Sequence, residues 1–317
     1  MDLILNQFIN GLQRGSIYAL IALGYTMVYG VLRLINFAHG EVFMIGAFAA
    51  YFAALMAGGG LVVALVAAMC ACGVLGLLME VGVYRPLRSR PRLTALIAAI
   101  GLSILLSNLV QALQFDFRSA SGEEMHFSGA SYTPFPADLL AANAHYRLVP
   151  GREVYVTRIQ GLNLGVSVAL MAGLWLLVRR TALGRAMRAC ADNQESLSLM
   201  GVSVNRVIAV TFGIGAALAG AAGVLSALTY PRIDATMGLM AGLKAFVAAV
   251  LGGIGSIPGA VAGGFIMGLA EVAAAGALPS SPVDYTPLAD GVAFALLILV
   301  LLVRPQGIFG EAESQKV

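Results

Sequence analysis

The sequence predicts an all-α, polytopic membrane bundle of eight to nine spans, with broken helices and short helices on its cytoplasmic face. Three observations lead there. Apolar residues make up 59% of the 317 and charged ones only 11%, where soluble domains carry roughly 25% charge. The apolar residues fall in runs of about 20, the length that crosses a bilayer. Polar residues gather in compact islands between those runs, notably RRTALGRAMRACADNQESLSLMGVSVNR at 179–206. The mean hydropathy of +0.88 agrees, and a length of 317 leaves no room for a large soluble domain beside eight or so spans of about 20 residues, so residues 1–317 read as a single transmembrane domain.

The first run, 4–32, carries Asn6, Gln7, Asn10, Gln13 and Arg14 in its first third and is clean from Ser16 to Leu34. It lacks the basic start and small-residue cleavage site of a signal peptide, so it is expected to stay in the fold. The chain breaks at INFAHGE, 35–41, and resumes as a span from Val42 to about Ala57. Spans follow at 61–84, 93–115, 160–178 and 207–229. Residues 239–277 are too long for one crossing, and GGIGSIPG at 252–259 splits them, with a new helix starting near Ile257. A last span, 288–303, ends at Arg304-Pro305. The abundant glycine suits helices that pack closely through small residues.

Orientation follows from the arginines. RPLRSRPR (85–92) and the 179–206 island hold nine of them, while the 116–158 loop holds four basic and five acidic residues. Positive loops stay inside. The first two segments are therefore expected in the cytoplasm with the C-terminus, and the 116–158 loop outside.

Catalysis is largely set aside. Two of three histidines, His126 and His145, sit in the outer loop without metal-ligand spacing, and no G-x-S-x-G elbow occurs. No G-x-x-x-x-G-K-[ST] loop is present either, the lysines being Lys244 and Lys316. The chain is not expected to be an enzyme, and any ATPase driving it is another polypeptide. Cys70, Cys72 and Cys190 imply neither disulfide nor metal framework. The expected metal and cofactor inventory of this chain is none, and no nucleic acid is expected as a partner.

A connector between two spans needs a handful of residues, and the 179–206 island has 28. Ala182, Arg185, Ala186 and Ala189 recur at helical spacing, and Asp192 and Asn193 suit the cap of a second short helix. Two short surface helices are predicted, whose purpose is contact with a partner; a basic loop that only fixes topology is the plainer alternative. In the INFAHGE break, Asn36, His39 and Glu41 bring donors and acceptors to membrane depth, where polar groups mark pathways or pairings. The alternative has Asn36 capping the next helix and His39 paired with Glu41. At the second break, Gly252, Gly253 and Gly255 either form a substrate-facing turn before a helix N-terminus suited to a carboxylate or merely allow close packing. Glu80, Glu271 and Asp290 read as interfacial, and Lys244, inside a short span, calls for an acid on a neighbouring helix.

Four blocks carry a family resemblance: GSIYALIALGYTMVYGVLRLINFAHGEVFMIGAF (15–48), GRAMRACADNQESLSLMGVSVNRVIAVTFGIGAALAGAAGVL (184–225), MAGLKAFVAAVLGGIGSIPGAVAGG (240–264) and FALLILVLLVRPQGIFG (294–310). They closely resemble the branched-chain amino-acid ABC transporter permease family, most nearly its LivH-type subunit. The 116–158 loop is unmatched, and Arg14 stands where the pattern leads one to expect an uncharged residue. The resemblance implies an ATP-driven importer of the bacterial inner membrane. Its partners would be a second related permease, two cytoplasmic ATPases holding ATP and magnesium, and a periplasmic protein delivering leucine, isoleucine or valine; membrane lipid would surround it. The 179–206 island then becomes the coupling element, with Gly184, Arg185, Arg188, Asp192, Glu195 and Gly201 carried over onto it. Substrates of related importers, namely urea, short amides and other amino acids, remain alternatives. Rivals from other classes are an ion-coupled secondary transporter using His39, Glu41 or Lys244, and a passive channel.

Overall fold

The computed structural model describes residues 2–58, 60–136, 145–147, 154–277, 286–304 and 306–310. Helices dominate, in the order α1 (Asp2–Leu32), α2 (His39–Ala57), α3 (Leu61–Met79), α4 (Arg85–Leu87), α5 (Arg92–Ala112), α6 (Arg158–Arg180), α7 (Ala182–Asp192), α8 (Gln194–Leu199), α9 (Val204–Thr229), α10 (Met237–Gly252), α11 (Ile257–Ala277) and α12 (Thr286–Val303). Among the described residues seven helices are long and apolar enough to span a membrane, and α10 and the apolar part of α12 are shorter. The chain is a multi-pass membrane protein.

The centre of the bundle is α1 and α9. In each, 78% of the apolar window is buried, against 22% for α6 and for the α3 run through Leu87. Lipid tails are as apolar as leucine, so nothing but packing and polar contacts draws such helices together. Small residues supply the packing here. Gly46 of α2 meets Gly220 of α9 so closely that a methyl on Gly46 would collide with the α9 backbone, and a methyl on Gly220 would collide with Ala68 and Cys72 of α3. The outer faces of α3, α5 and α6 stay apolar, with Val66, Leu78, Ile97, Leu105 and Leu176 exposed.

Helix ends have local causes. Thr157 opens α6 with a capping box: its hydroxyl accepts from Gln160 N at 3.1 Å, and Gln160 Oε1 accepts from Thr157 N at 2.8 Å. α1 ends where Arg33 takes φ 53°, and α2 ends at Gly58 with φ 59°. The left-handed region costs glycine nothing and other residues something, so Arg33 marks a constrained corner.

One end of the bundle carries the short surface helices α7 and α8, called here the platform end. The other carries, among the described residues, three two-stranded ribbons: β1 (Gln114–Arg118) with β2 (Glu124–Ser128), β3 (Thr133–Pro134) with β6 (Arg232–Ile233), and β4 (His145–Arg147) with β5 (Tyr155–Thr157), all antiparallel. The fourth span therefore ends at Ala112, and Gln114–Phe115 already belongs to a strand. The hairpin is anchored to α2 by Ala120 N–H donating to Leu55 O at 2.8 Å. Phe52 of α2 packs between Phe115, Phe117 and Phe127, with ring centres 4.9–5.6 Å away.

Two acids expected at the interface are buried instead. Glu80 has no exposed surface and sits in a π-helical turn (Glu80–Tyr84) that extends α3. Arg85 Nη2 donates to it at 2.8 Å, Arg88 also pairs with it, and Arg88 Nη1 donates to Asn205 Oδ1 at 2.7 Å. A buried carboxylate persists when its charge is matched and its oxygens are bonded, and the arginines of the 85–92 segment do both. Glu271, at 3% exposure, is the other.

Candidate functional site

The break after α1 folds back into the bundle. His39 lies beside Gly24, whose missing side chain leaves room for the imidazole. Gly24 is eight residues before Leu32, so the chain has climbed about 12 Å back along α1. His39 also packs edge-on to Tyr25, with ring centres 4.8 Å apart. Asn36 does serve as a local cap, its Oδ1 accepting from Ala38 N at 3.0 Å, and it accepts a second bond from Tyr84 Oη at 2.6 Å. That second bond ties the break to the π-helical turn. His39 and Glu41 do not pair. Glu41 accepts from Ser103 Oγ of α5 at 3.1 Å, and its other oxygen faces the Gly238 backbone. Among the described residues His39 Nε2 and Glu41 Oε2 are buried without a hydrogen-bond partner.

The second break is a turn in which Gly253 and Gly255 take φ 103° and 98°. Ser256 caps α11, its Oγ accepting from Gly259 N at 3.2 Å, so part of that helix N-terminus is already occupied. The C-terminal tail returns to the same turn. Ile308 N–H donates to Leu251 O at 2.9 Å and Phe309 N–H to Gly252 O at 3.0 Å, filling carbonyls that α10 leaves open at its end. Gly255 lines a crevice with Thr26, Thr211 and Arg188, which brings this turn to the platform.

The platform is the predicted pair of short helices. Thr181 caps α7, accepting from Gly184 N at 3.0 Å, and Asn193 caps α8, accepting from Ser196 N at 3.0 Å. α7 is amphipathic: its buried stripe is Gly184, Met187 and Cys190, while Ala182, Arg185 and Ala189 are exposed and Ala186 is half-buried. Gly184 is buried because it lies directly on the last carbonyls of α6. Arg185, Arg188, Asp192, Glu195 and Gly201 are all exposed, and Arg188 also bonds Val178 O. Gln194 Nε2 donates to Val31 O at 3.1 Å and fastens α8 to the end of α1. The most exposed apolar residues of the platform are Leu199 and Met200, at 88% and 81%. Burial pushes the Cys190 thiol above its ordinary pKa, only partly offset by Arg88.

Toward the ribbon end lies an ion network. Lys244 Nζ donates to Glu271 Oε1 at 2.8 Å and to Asp290 Oδ1 at 2.6 Å, which answers the demand for an acid partner with two. Arg14 Nη1 reaches Glu271 Oε1 at 3.3 Å, and Tyr18 Oη donates to Glu271 Oε2 at 2.6 Å. Four helices, α1, α10, α11 and α12, thus converge on one carboxylate cluster. The sequence signalled Lys244 and Arg14 as misplaced charges but offered no partner for Arg14, because Arg14 and Glu271 lie 257 residues apart. Among the described residues no group of His, Cys, Asp and Glu could hold a metal ion.

A multi-pass bundle with re-entrant breaks and a built platform at one end is the architecture of a membrane transport permease. The chain belongs to the family described as branched-chain amino acid transport system / permease component, whose model matches residues 7–301. It is 44% identical over 321 aligned residues to the high-affinity branched-chain amino acid transport system permease protein BraD of Pseudomonas aeruginosa, covering 99% of this chain and 98% of that protein. It is 45% identical to LivH, the permease protein of the same description in Escherichia coli K12, covering 99% and 97%. A probable branched-chain amino acid transport permease protein LivH of Methanocaldococcus jannaschii is 25% identical over 93% of this chain and 89% of its own length. No solved structure matches the chain.

Proposed function

We propose that this chain is the permease subunit of a binding-protein-dependent ABC importer, a single domain that moves branched-chain amino acids across the bacterial inner membrane by ATP-driven alternating access. The observation that carries this is the platform: a capped pair of short helices, fastened to α1 and α6, that presents Leu199 and Met200 almost fully exposed at the end of a family-matched bundle. Exposed apolar side chains rimmed by charge mark docking surfaces. The platform faces the cytoplasm on this reading, and Gly184, Arg185, Arg188, Asp192, Glu195 and Gly201 form or flank the coupling surface. Gly184 seats α7 on α6, so a pull on the platform is passed to a membrane helix. ATP and magnesium reside on two ATPase subunits, a second related permease completes the pathway, and a periplasmic binding protein delivers substrate at the ribbon end.

The pathway is proposed to pass the two breaks, Asn36, His39 and Glu41 at one and Gly252, Gly253 and Gly255 at the other. The unpartnered His39 Nε2 and Glu41 Oε2 support this, since buried polar atoms without partners are costly in a membrane interior and gain bonds when a conformational change admits water or substrate.

The test is uptake of labelled leucine in cells expressing this chain with its neighbouring subunits as their leucine system. Depleting ATP while the proton gradient is held should stop uptake, and an uncoupler at constant ATP should not. The reverse pattern would replace this reading with an ion-coupled secondary transporter. A complex that hydrolyses ATP but moves urea or a short amide in place of leucine would keep the class and change the substrate.

A further inference from the structure

Two cavities meet at Arg14 and Tyr230, toward the ribbon end. The outer one, about 370 Å³, is lined by Asn10, Gln13, Thr157, Gln160 and Thr229 as well as by these two. The inner one, about 140 Å³, is bounded by Arg14, Tyr18, Phe43, Tyr230 and Lys244, with Ser226 on its wall. Arg14 lies over the Tyr230 ring, 5.4 Å from its centre, so the two side chains form the partition between the cavities.

Three features suit the inner cavity to one kind of ligand. The two cations on its wall, Arg14 and Lys244, are matched by the two carboxylates they pair with, Glu271 and Asp290, which do not line the cavity. A ligand with a net charge would unbalance a site that water cannot freely screen, whereas a zwitterion would not. The rest of its lining includes apolar Phe43, Ile17 and Ala241. Arg14 is also not sealed into the network. Its side chain is 33% exposed while that of Glu271 is 4% exposed. A guanidinium carries five N–H donors and pairs well with a second carboxylate. An ion network with a purely structural role requires neither an adjoining cavity nor a guanidinium open to it.

We propose that this inner cavity is the outward-side binding site for a zwitterionic aliphatic amino acid, with the ligand carboxylate on Arg14 and its side chain against Phe43 and Ile17. The proposal rests on the reading of the chain as an amino-acid permease and gives that reading a recognition site. The polar outer cavity is the entry, and Tyr230 stands between the two.

The experiment uses the whole complex in proteoliposomes, with labelled leucine as the probe. Arg14→Gln should raise the apparent KM for leucine about ten- to a hundredfold, the loss of a hydrogen bond to a charged group, and Arg14→Lys should recover part of it. A second measurement guards against poor assembly of the Gln variant. Ser226→Cys, in a Cys70→Ser background because Cys70 is exposed, should react with a charged methanethiosulfonate from the outside, several-fold more slowly when leucine is present. An unchanged KM in an assembled Gln variant, or labelling indifferent to leucine, in a complex that still imports leucine, overturns the site and leaves the transport reading standing. A parent complex that imports no amino acid overturns the transport reading, and this site with it.

Discussion

Replacing Lys244 by Met removes the one ammonium between two carboxylates. Lys244 is 10% exposed, Glu271 4% and Asp290 27%, and the bonds broken are 2.8 and 2.6 Å long. Removing one partner of a buried pair costs about 3–5 kcal/mol, because the remaining charge is stranded. Here the lower end applies. Glu271 retains Arg14 at 3.3 Å and Tyr18 at 2.6 Å, and Asp290 keeps some access to solvent. The expected loss is about 3 kcal/mol. It should be read as a fall in SDS or thermal unfolding midpoint of the purified chain in detergent micelles. Adding Asp290→Asn to the Met variant removes the more stranded carboxylate and should return at least half of the loss, a coupling visible in a double-mutant cycle. If Lys244→Met unfolds within about 0.5 kcal/mol of the parent, or if Asp290→Asn makes it worse, the network does not hold these helices together and the reasoning fails.

Further expectations follow from the same contacts. Gly24→Ala drives a methyl into the His39 imidazole and against the Gly215 carbonyl, and overpacking of this kind costs about 1–3 kcal/mol; His39→Ala in the same chain should relieve the part due to the imidazole in the unfolding assay. Tyr84→Phe removes the 2.6 Å bond to Asn36 and should cost about 1 kcal/mol, with no loss if that bond is dispensable. Because burial raises the Cys190 thiol, less thiolate is present at pH 8 than on an exposed cysteine. Maleimide should label Cys190 more slowly than a cysteine placed at Ser198, and the gap should narrow as pH rises; equal rates at pH 8 would contradict the burial of α7 on α6. Ending the chain after residue 305 strips Ile308 and Phe309 from the α10 carbonyls and should speed hydrogen exchange at the end of α10 while leaving α9 unchanged.

The fold class and the positions of both breaks were legible because they depend on local pattern, namely apolar runs of bilayer length and glycines clustered inside them. The caps were partly legible for the same reason: Asn193 announces α8, whereas Thr181 was hidden among neighbours that all favour helix. The outer loop was not legible. Its strands are two to five residues long, and the largest cluster on them is organised by Phe52, which is distant in sequence. The burial of Glu80 and Glu271 was likewise invisible. Glu271 looks interfacial until Lys244 and Arg14 arrive from elsewhere in the chain, and Glu80 does so although Arg85 and Arg88 are close in sequence, because the π-helical turn that brings them onto it has no sequence signal. The buried face of α7 was not legible, because Arg and Ala at helical spacing say little about which face is buried, and the packing of Gly184 on α6 decides it.

The central claim, that the platform couples ATP hydrolysis to amino-acid movement, is tested most directly in proteoliposomes. They hold the full complex with ATP on the ATPase side and leucine-loaded binding protein on the other, and leucine accumulation and phosphate release are measured together. The parent complex should accumulate leucine only with ATP. Met200→Asp and Arg188→Glu should lower accumulation at least tenfold, by weakening assembly with the ATPases or by leaving hydrolysis running without transport. Accumulation that persists at parental levels in both variants, or that proceeds without ATP, would contradict the account.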